Sequence, residues 1–464
     1  MSEARPAPAE HPAPRIDAGF LESAFDRHPD EPKEVLVKAH LLSVGQWFTD
    51  AALEATAGAL VKSYRLFSYD LVPMSDLKRR ESRRVPEWFT ILGGPYGLRP
   101  VNVQTTLSPT SPYRVDVVDG RLALTLGGEV LSEVRFPRAP SYYDLELPDG
   151  TKYHEVIALG FFLTAFRACQ FVGADEECGF CDINHMMRQM NRSRDFTLKA
   201  PVKSPEDVAI VADAIEREAG GADARVAFLI TGGSILETLN GKTEEEFYAD
   251  YVRALKDGHP NRHISLQTNA LPKERLRRFR DLGVDSHHAN MEVWDPRLFE
   301  WICPGKAKRV GRDEWVRRLV DAVDLFGPGQ VKPLFVGGIE MARPHGFATV
   351  DEAVASTTEG MEYLMSRGVV PRFNQWRREP YAWLVRDHEQ PEVPLDYYAR
   401  LMRNRYELWK ANGLPLPNQS RLVDSTRHLG VAHGTHEDEI LLLEETYPDD
   451  ILDLVDRDST PFEF

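Results

Sequence analysis

Cysteine is scarce in this chain, with four residues among 464. Long apolar runs are missing too: no stretch approaches the roughly 20 residues of a membrane-spanning helix, and the first residues lack the apolar core of a secretory signal peptide. Positive charge is in deficit, because 56 Lys and Arg against 72 Asp and Glu give a net charge of -16. We therefore expect a protein of the reducing cytoplasm that binds neither membranes nor nucleic-acid phosphates.

Three of the four cysteines, Cys169, Cys178 and Cys181, fall on one short segment with spacers of eight and two residues. Thiolate is a soft ligand for iron and zinc, and three thiolates hold a metal while leaving one coordination position free. Two other interpretations stay open. His185 could complete a Cys3His zinc module for nucleic-acid or protein binding, and a disulfide with a spare thiol would suit a secreted domain.

The cysteine spacing resembles in type the cluster loop of radical S-adenosylmethionine (SAM) enzymes, whose commonest form is C-x3-C-x2-C. The resemblance implies that Cys169, Cys178 and Cys181 hold a 4Fe-4S cluster and that SAM chelates its fourth iron. It also implies the aromatic residue before the last cysteine, here Phe180, and an electron donor of the flavodoxin or ferredoxin type. The longer first spacer departs from the common form. The branch that the chain resembles most is the biotin-synthase-like one.

The chain is predicted to have four parts. Residues 1–32 form a Pro/Ala/Glu-rich arm that we expect to be disordered. Residues 33–153 read as an α+β leader domain, with a helical pattern at 34–67 and strands at 101–106, 113–118, 122–126 and 130–136. Residues 154–385 form the catalytic domain. Residues 386–464 form a helical extension, with helices at 395–412 and 437–445.

In residues 154–385, apolar runs alternate with amphipathic segments. The predicted strands cover residues 156–164, 226–230, 264–267, 289–293, 331–336 and 369–373, and the predicted helices cover 206–217, 244–255, 273–282, 312–325 and 350–364. Right-handed crossovers make such a sheet parallel and bring all the strand carboxyl ends to one rim. The fold class is therefore α/β, a partial (β/α)6 TIM-like barrel with the cysteine loop following its first strand.

Several strand ends carry residues suited to SAM. Gly232, Gly233 and Ser234 resemble the family's Gly-Gly-Glu motif, which hydrogen-bonds the SAM ammonium, with Ser234 in place of the glutamate. Polar residues end the third strand and lie in the fourth, where they are either SAM contacts or turn and cap formers: Gln267, Asn269, Asn290 and Glu292. Gly338 and Glu340 resemble, with compressed spacing, the family's segment beside adenine.

The substrate side is predicted from three residues near the same rim. Cys303 lies in a Pro-Gly loop and is either a hydrogen-atom donor or a buried inert thiol. Arg372 and Arg377 would suit a small anionic substrate, although surface ion pairs are the usual role of such residues. The resemblance implies reductive cleavage of SAM to a radical that modifies this substrate, as in biosynthesis. Rearrangement, carbon–carbon or carbon–sulfur bond formation, and aminocarboxypropyl transfer from SAM stay open.

Overall fold

Alternating apolar residues between Trp88 and Arg135 build an antiparallel sheet that precedes the cysteine loop. The computed structural model describes residues 17–62, 70–72, 85–173, 175–192, 197–219, 227–415, 440 and 451–460. Its first sheet has the spatial order β1-β4-β5-β6-β2-β3, with β1 parallel to β4 and the other pairs antiparallel. The strands are β1 (Trp47–Phe48), β2 (Trp88–Gly93), β3 (Leu98–Gln104), β4 (Tyr113–Val118), β5 (Arg121–Leu126) and β6 (Glu129–Arg135). All four predicted strands are present here, and β1 and β2 are additional.

Part of the arm that was predicted to be disordered is helical. Within residues 1–32, helix α1 (Ala18–Arg27) begins at Asp17, whose side chain caps it, and its Leu21 and Phe25 are buried. These apolar residues have a partner in helix α2 (Lys33–Val44), so burial offsets the cost of ordering them. Residues 1–16 lie outside the described part of the chain. The single helical pattern predicted for 34–67 corresponds to α2 and the short α3 (Asp50–Glu54); residues 63–69 are not described.

The region after the antiparallel sheet contains parallel strands that alternate with helices, so the mixed α/β class is confirmed. A four-stranded sheet has the order β10-β9-β8-β7, and a two-stranded sheet pairs β11 with β12. These strands are β7 (Phe162–Phe166), β8 (Phe228–Gly232), β9 (Ile264–Gln267), β10 (Ser286–His288), β11 (Leu334–Gly337) and β12 (Arg372–Gln375). Parallel bridges pair His287 with Val331 and Glu292 with Phe335, so β10 and β11 are neighbours.

Two predicted strands are displaced from their sequence positions. The strand expected at 156–164 begins only at Phe162, because Leu159 and Gly160 adopt positive φ values of 59° and 75° that interrupt extended backbone. The strand expected at 289–293 lies earlier, at Ser286–His288. Glu292 has a φ of 70°, which ends the regular extended backbone in the predicted segment.

Helices cover the parallel strands and extend to the end of the described chain. They are α4 (Tyr153–Val156), α5 (Ile183–Arg192), α6 (Pro205–Ala219), α7 (Glu244–Gly258), α8 (Lys273–Asp281), α9 (Pro296–Ile302), α10 (Pro304–Arg309), α11 (Arg312–Phe326), α12 (Val350–Met365), α13 (Trp383–Asp387), α14 (Leu395–Ala411) and α15 (Ile451–Asp458). Helix α14 matches the helix predicted at 395–412, whereas the one predicted at 437–445 falls outside the described residues except for Ile440.

Two hydrophobic cores organise these elements. One lies beneath the antiparallel sheet, and the other fills the space between the parallel strands and their helices. Helix α14 contributes to both, since Ala399 packs in the first core and Leu401 in the second. The two sheets are thereby held together by shared packing as well as by the chain. None of the described helices has the length and apolar character needed to cross a membrane.

Candidate active site

A cavity lies at the carboxyl ends of the parallel strands, where β7, β8, β9 and β12 lead into loops. The loop after β7 supplies the cysteines, and the ends of the other strands supply polar and cationic groups. Thirteen of the predicted site residues line this three-cysteine cavity: Cys169, Phe180, Cys178, Cys181, Gly232, Gly233, Ser234, Gln267, Asn269, Asn290, Glu292, Arg372 and Arg377. The structure therefore brings together residues that are separated by up to about two hundred positions in the sequence.

Gly338 and Glu340 were predicted to contact the cofactor, but they do not line the cavity. Glu340 is 2% exposed, and its carboxylate accepts hydrogen bonds from Thr357, Tyr397 and the Gly338 N–H, the last at 2.9 Å. Gly338 has a φ of 98°, and a Cβ there would lie 2.8 Å from the Tyr398 hydroxyl. Both residues stabilise the junction of β11 with α12 and α14, and the compressed motif spacing was misleading.

The side-chain amide of Asn184 and backbone hydrogen bonds of Gly179 hold the cysteine loop in place. Asn184, in α5, accepts a hydrogen bond from the Cys169 N–H at 2.9 Å and donates to the Cys169 carbonyl at 3.2 Å. Gly179 donates to the Ile302 carbonyl at 2.7 Å and accepts from the Leu384 N–H at 3.0 Å. A Cβ on Gly179 would lie 2.7 Å from the Leu384 side chain, so the loop passes too close to α13 for a larger residue.

The three thiols have different electrostatic surroundings. Burial raises the pKa of Cys169 to about 11 and raises that of Cys181 well above its usual value. The pKa of Cys178 is lowered, first by a hydrogen bond from the Cys303 thiol and then by the charge of Lys306. Thiols of raised pKa, such as those of Cys169 and Cys181, need a strong positive charge to become thiolates, and a metal centre provides one.

Three cysteine thiols at one cavity are a donor set that fits an iron–sulfur cluster. Among the described residues, no three His, Cys, Asp or Glu side chains lie close enough together to hold one metal ion. A cluster spreads its thiolates more widely, because each binds a different iron atom. His185 does not support the zinc alternative, since its ring stacks on Tyr381 with centroids 3.5 Å apart and its Nε2 lies 2.9 Å from Gln189.

Cys303 was predicted to be either a hydrogen-atom donor or a buried inert thiol, and its position fits the second. It lies between α9 and α10, is completely buried and does not line the cavity. Burial and its hydrogen bond to Cys178 raise its pKa well above the usual value. The apolar packing of this helix junction therefore accounts for the residue, as its type predicts.

Gly232 and Gly233 are glycines because backbone approaches them closely, not because of unusual φ values. Neither is among the described residues with positive φ. A Cβ on Gly233 would lie 1.8 Å from the Ala168 carbonyl oxygen and 2.5 Å from the Cys169 Cα. One on Gly232 would lie 2.6 Å from the Tyr248 hydroxyl. The end of β8 and the cysteine loop thus touch backbone to backbone.

Replacing Gly233 with alanine is expected to disturb this contact. The added methyl overlaps backbone atoms that cannot rotate away, so we expect a loss of about 1–3 kcal/mol in unfolding free energy and a lower iron content after reconstitution. Denaturant titration and iron analysis measure the two effects. Gly258→Ala is the matched control, because a Cβ there meets only the Asp213 carboxylate at 3.4 Å. Iron retention and stability equal to wild type in Gly233→Ala would contradict the proposed close approach.

Next to the glycine pair, a hydrogen-bonded network connects three cavity residues. The Ser234 hydroxyl donates to Asn269 Oδ1 at 2.9 Å, and Asn269 Nδ2 donates to Glu244 Oε1 at 3.0 Å. Glu244, at the start of α7, was not predicted as a site residue. In the sequence it is one of three consecutive glutamates after Thr243, a pattern typical of a helix start.

A buried ion pair forms another wall of the cavity. Lys306 Nζ lies 2.6 Å from Glu292 Oε1, donates to the Asn290 carbonyl at 2.8 Å and sits 4.8 Å from the centre of the Trp315 ring. Both charged side chains are less than 10% exposed. Lys306 was not included among the predicted site residues.

The last parallel strand connects the cavity to the antiparallel sheet. Arg377 Nη2 donates to Gln104 Oε1 at 3.2 Å, and Gln104 belongs to β3. Gln375 donates from Nε2 to the Ala39 carbonyl at 2.8 Å and also to the Ser43 hydroxyl, both in α2. Trp376, also in the cavity wall, is 4% exposed. The N-terminal sheet and helix therefore position the strand that carries the cationic residues.

Comparisons with known proteins give limited matches. No protein-family model matches the chain. The bacteriochlorophyllide c C-7(1)-hydroxylase of Chlorobaculum limnaeum is 26% identical over 145 residues, which cover 29% of this chain and 32% of the relative. The match thus spans about a third of that protein's length.

Among solved structures, similarity extends to methylornithine synthase at 12% identity and a TM-score of 0.36, covering 57% of this chain and 71% of that one. It also extends to coproporphyrinogen III oxidase from Escherichia coli, described as a radical SAM enzyme, at 10% identity and a TM-score of 0.34, covering 60% and 59%. Scores this low do not inform the function of this chain. The three-cysteine loop and the glycine pair, which the structure brings to one cavity, resemble the corresponding segments of radical SAM enzymes.

Proposed function

We propose that this protein is an enzyme that cleaves SAM reductively and uses the resulting radical on a small anionic molecule. The observation that carries the proposal is the cavity in which Cys169, Cys178 and Cys181 meet the polar ends of the parallel strands. When bound, a 4Fe-4S cluster supplies one electron to SAM, which yields methionine and a 5′-deoxyadenosyl radical. A flavodoxin- or ferredoxin-type protein is the proposed source of that electron.

The fold and domain division belong to the same proposal. The six parallel strands, with β10 and β11 joined by bridges, form a partial (β/α)6 barrel. The boundaries are a leader domain at 33–153, the barrel at 154–385 and a C-terminal extension at 386–464. In this arrangement the barrel binds the cofactors, and the leader domain accepts hydrogen bonds from Gln375 and Arg377, which line the cavity.

The chain's own residues have three tasks in this proposal. The loop after β7 holds the three half-buried thiols at the wall of the cavity, where they would bind the cluster. Polar groups around Ser234 and Asn269 bind SAM. Arg372 and Arg377 orient an anionic substrate, because guanidinium groups match carboxylates and phosphates in geometry.

Several reactions on the substrate are compatible with these tasks. The curated relative is named for a hydroxylation. The reactions to be screened therefore include oxidation of a carbon–hydrogen bond. They also include rearrangement and the formation of carbon–carbon or carbon–sulfur bonds. Each of them begins with removal of one hydrogen atom from the substrate, which the cavity would have to place beside the SAM ribose. The small molecules to test first are those that carry a carboxylate or phosphate.

The proposed function is tested by SAM cleavage without substrate. Anaerobically reconstituted protein, reduced with dithionite and given SAM, is expected to form methionine and 5′-deoxyadenosine in equal amounts over many minutes. Liquid chromatography with mass detection quantifies both products. Methylthioadenosine as the main product would instead indicate aminocarboxypropyl transfer. No consumption of SAM by protein that carries its full iron content would refute the proposed function.

A further inference from the structure

Glu244 presents a carboxylate to the three-cysteine cavity, although its side chain is almost completely buried. The residue is 3% exposed and lines the cavity beside Gly233 and Ser234. It accepts hydrogen bonds from Asn269 Nδ2 at 3.0 Å, from the Asn269 N–H at 3.3 Å and from the Ile235 N–H at 3.4 Å. All three donors are neutral, and two of the contacts are longer than usual for an N–H donor.

No cation in the described part of the chain forms an ion pair with this carboxylate. The guanidinium group of Arg275 forms an ion pair with the neighbouring Glu245 and not with Glu244. Burial raises the pKa of Glu244 to about 7, and the charge of Arg275 only weakly opposes that rise. A buried carboxylate with neutral partners is costly to ionise, and a cationic ligand removes that cost.

The position of Glu244 relative to the cysteine loop identifies which ligand could provide the cation. Ser234 connects to Glu244 through Asn269, and the Ser234 carbonyl accepts a hydrogen bond from the Gln170 N–H at 3.0 Å, next to Cys169. SAM carries two positive groups, an ammonium and a sulfonium. Only the ammonium has N–H donors. Glu244 Oε2 accepts a single long hydrogen bond in the structure, so this oxygen can accept a further hydrogen bond.

We propose that Glu244 binds the ammonium group of SAM from the start of α7, where Ser234 at the end of β8 offers no carboxylate. This proposal rests on the proposed function and assigns one residue within it. The residue lies at the first position of a 15-residue helix, where negative charge is favourable in any case. A purely structural role is therefore the competing explanation, and the ligand series below separates the two.

The test measures ligand affinity of anaerobic, cluster-loaded protein rather than turnover. We compare wild type with Glu244→Gln, and use Glu245→Gln as the control because it removes the same charge from the neighbouring position outside the cavity. The ligands are SAM, S-adenosylhomocysteine, which keeps the ammonium but lacks the sulfonium, and methylthioadenosine, which lacks both. Equilibrium dialysis gives Kd, and the spectrum of the reduced cluster with and without SAM reports cofactor approach.

Glu244→Gln is expected to weaken SAM and S-adenosylhomocysteine alike by roughly 10- to 100-fold, the usual worth of a hydrogen bond between charged groups. Methylthioadenosine affinity should not change, and Glu245→Gln should bind all three ligands like wild type. Unchanged SAM affinity in Glu244→Gln would overturn the assignment. An effect on SAM but not on S-adenosylhomocysteine would overturn it too, by indicating a sulfonium contact.

A structural failure is distinguished by a second pair of variants. If Glu244→Gln loses its iron, Glu244→Asp and Glu244→Asn give the same charge comparison with a shorter side chain, and the aspartate variant should bind SAM more tightly than the asparagine variant. Equal affinity of these two variants contradicts the proposal. Wild-type protein that carries iron but binds no SAM refutes the proposed function itself, which is a different result from any outcome limited to position 244.

Discussion

Replacement of Cys169, Cys178 or Cys181 by alanine is expected to remove most of the bound iron. Wild-type protein reconstituted without oxygen should be brown and bind about four irons per chain, as one 4Fe-4S cluster requires. Each replacement leaves two thiolates in the loop, which is too few to hold the cluster. Iron and sulfide analysis, together with visible absorption, measures the loss. The wild-type colour should bleach in air.

Two further variants show whether this loss is specific. His185→Ala should keep its iron, because His185 stacks on Tyr381 and is outside the cavity. Cys303→Ala should also keep it, since three thiolates suffice and Cys303 only donates a hydrogen bond to Cys178. Colourless protein with zinc in equal ratio to the chain, released by His185→Ala, would contradict the cluster and support a Cys3His zinc module.

Breaking the buried pair of Lys306 and Glu292 is expected to produce the largest loss of stability. Lys306→Met leaves the carboxylate buried without its cation, which costs about 3–5 kcal/mol in comparable pairs. Glu292→Gln leaves the ammonium unpaired and should cost a similar amount. The double variant removes both charges and should recover much of the loss, so the two effects should not add. Denaturant unfolding followed by circular dichroism measures all three.

Lys308→Met provides the control for this pair. Lys308 lies in the same short helix, but its side chain is 68% exposed and 3.7 Å from Glu176, and exposed pairs of this kind contribute at most about 1 kcal/mol. If Lys306→Met were as stable as Lys308→Met, the ammonium of Lys306 would not be buried beside Glu292. Losses that add fully in the double variant would show that the two side chains do not interact.

Much of the fold follows from local patterns in the sequence. Strand β9 matches its predicted bounds, and α7, α8, α11 and α12 each differ from theirs by three residues or fewer at each end. These helices are amphipathic, so the period of their apolar residues indicates both the helix and its buried face. The cysteine spacing and the glycine pair likewise indicated a shared site, because side chains at the ends of neighbouring parallel strands lie close together.

The remaining errors involve residues whose role depends on tertiary contacts. Glu244 and Lys306 are charged residues at helix starts or in short helices, and only folding places them inside a cavity. Glu340 looked like a cofactor ligand, yet Thr357 and Tyr397, far away in sequence, occupy its carboxylate. Helix α1 was missed because its burial depends on α2. Such contacts between elements leave no local pattern in the sequence.

The hydrogen bonds of Gln375 and Arg377 to the N-terminal part of the chain have a consequence for engineering. Elements β3 and α2, which precede the cysteine loop in the chain, hold Gln375 and Arg377 in the wall of the three-cysteine cavity. Transplanting only the parallel-strand region into another protein would leave Gln375 without its hydrogen-bond acceptors. It would also expose the apolar surface of α14 at Ala399, which packs in the core beneath the antiparallel sheet. Libraries aimed at altered substrate choice should therefore vary Gln104 and its neighbours together with the residues of β12.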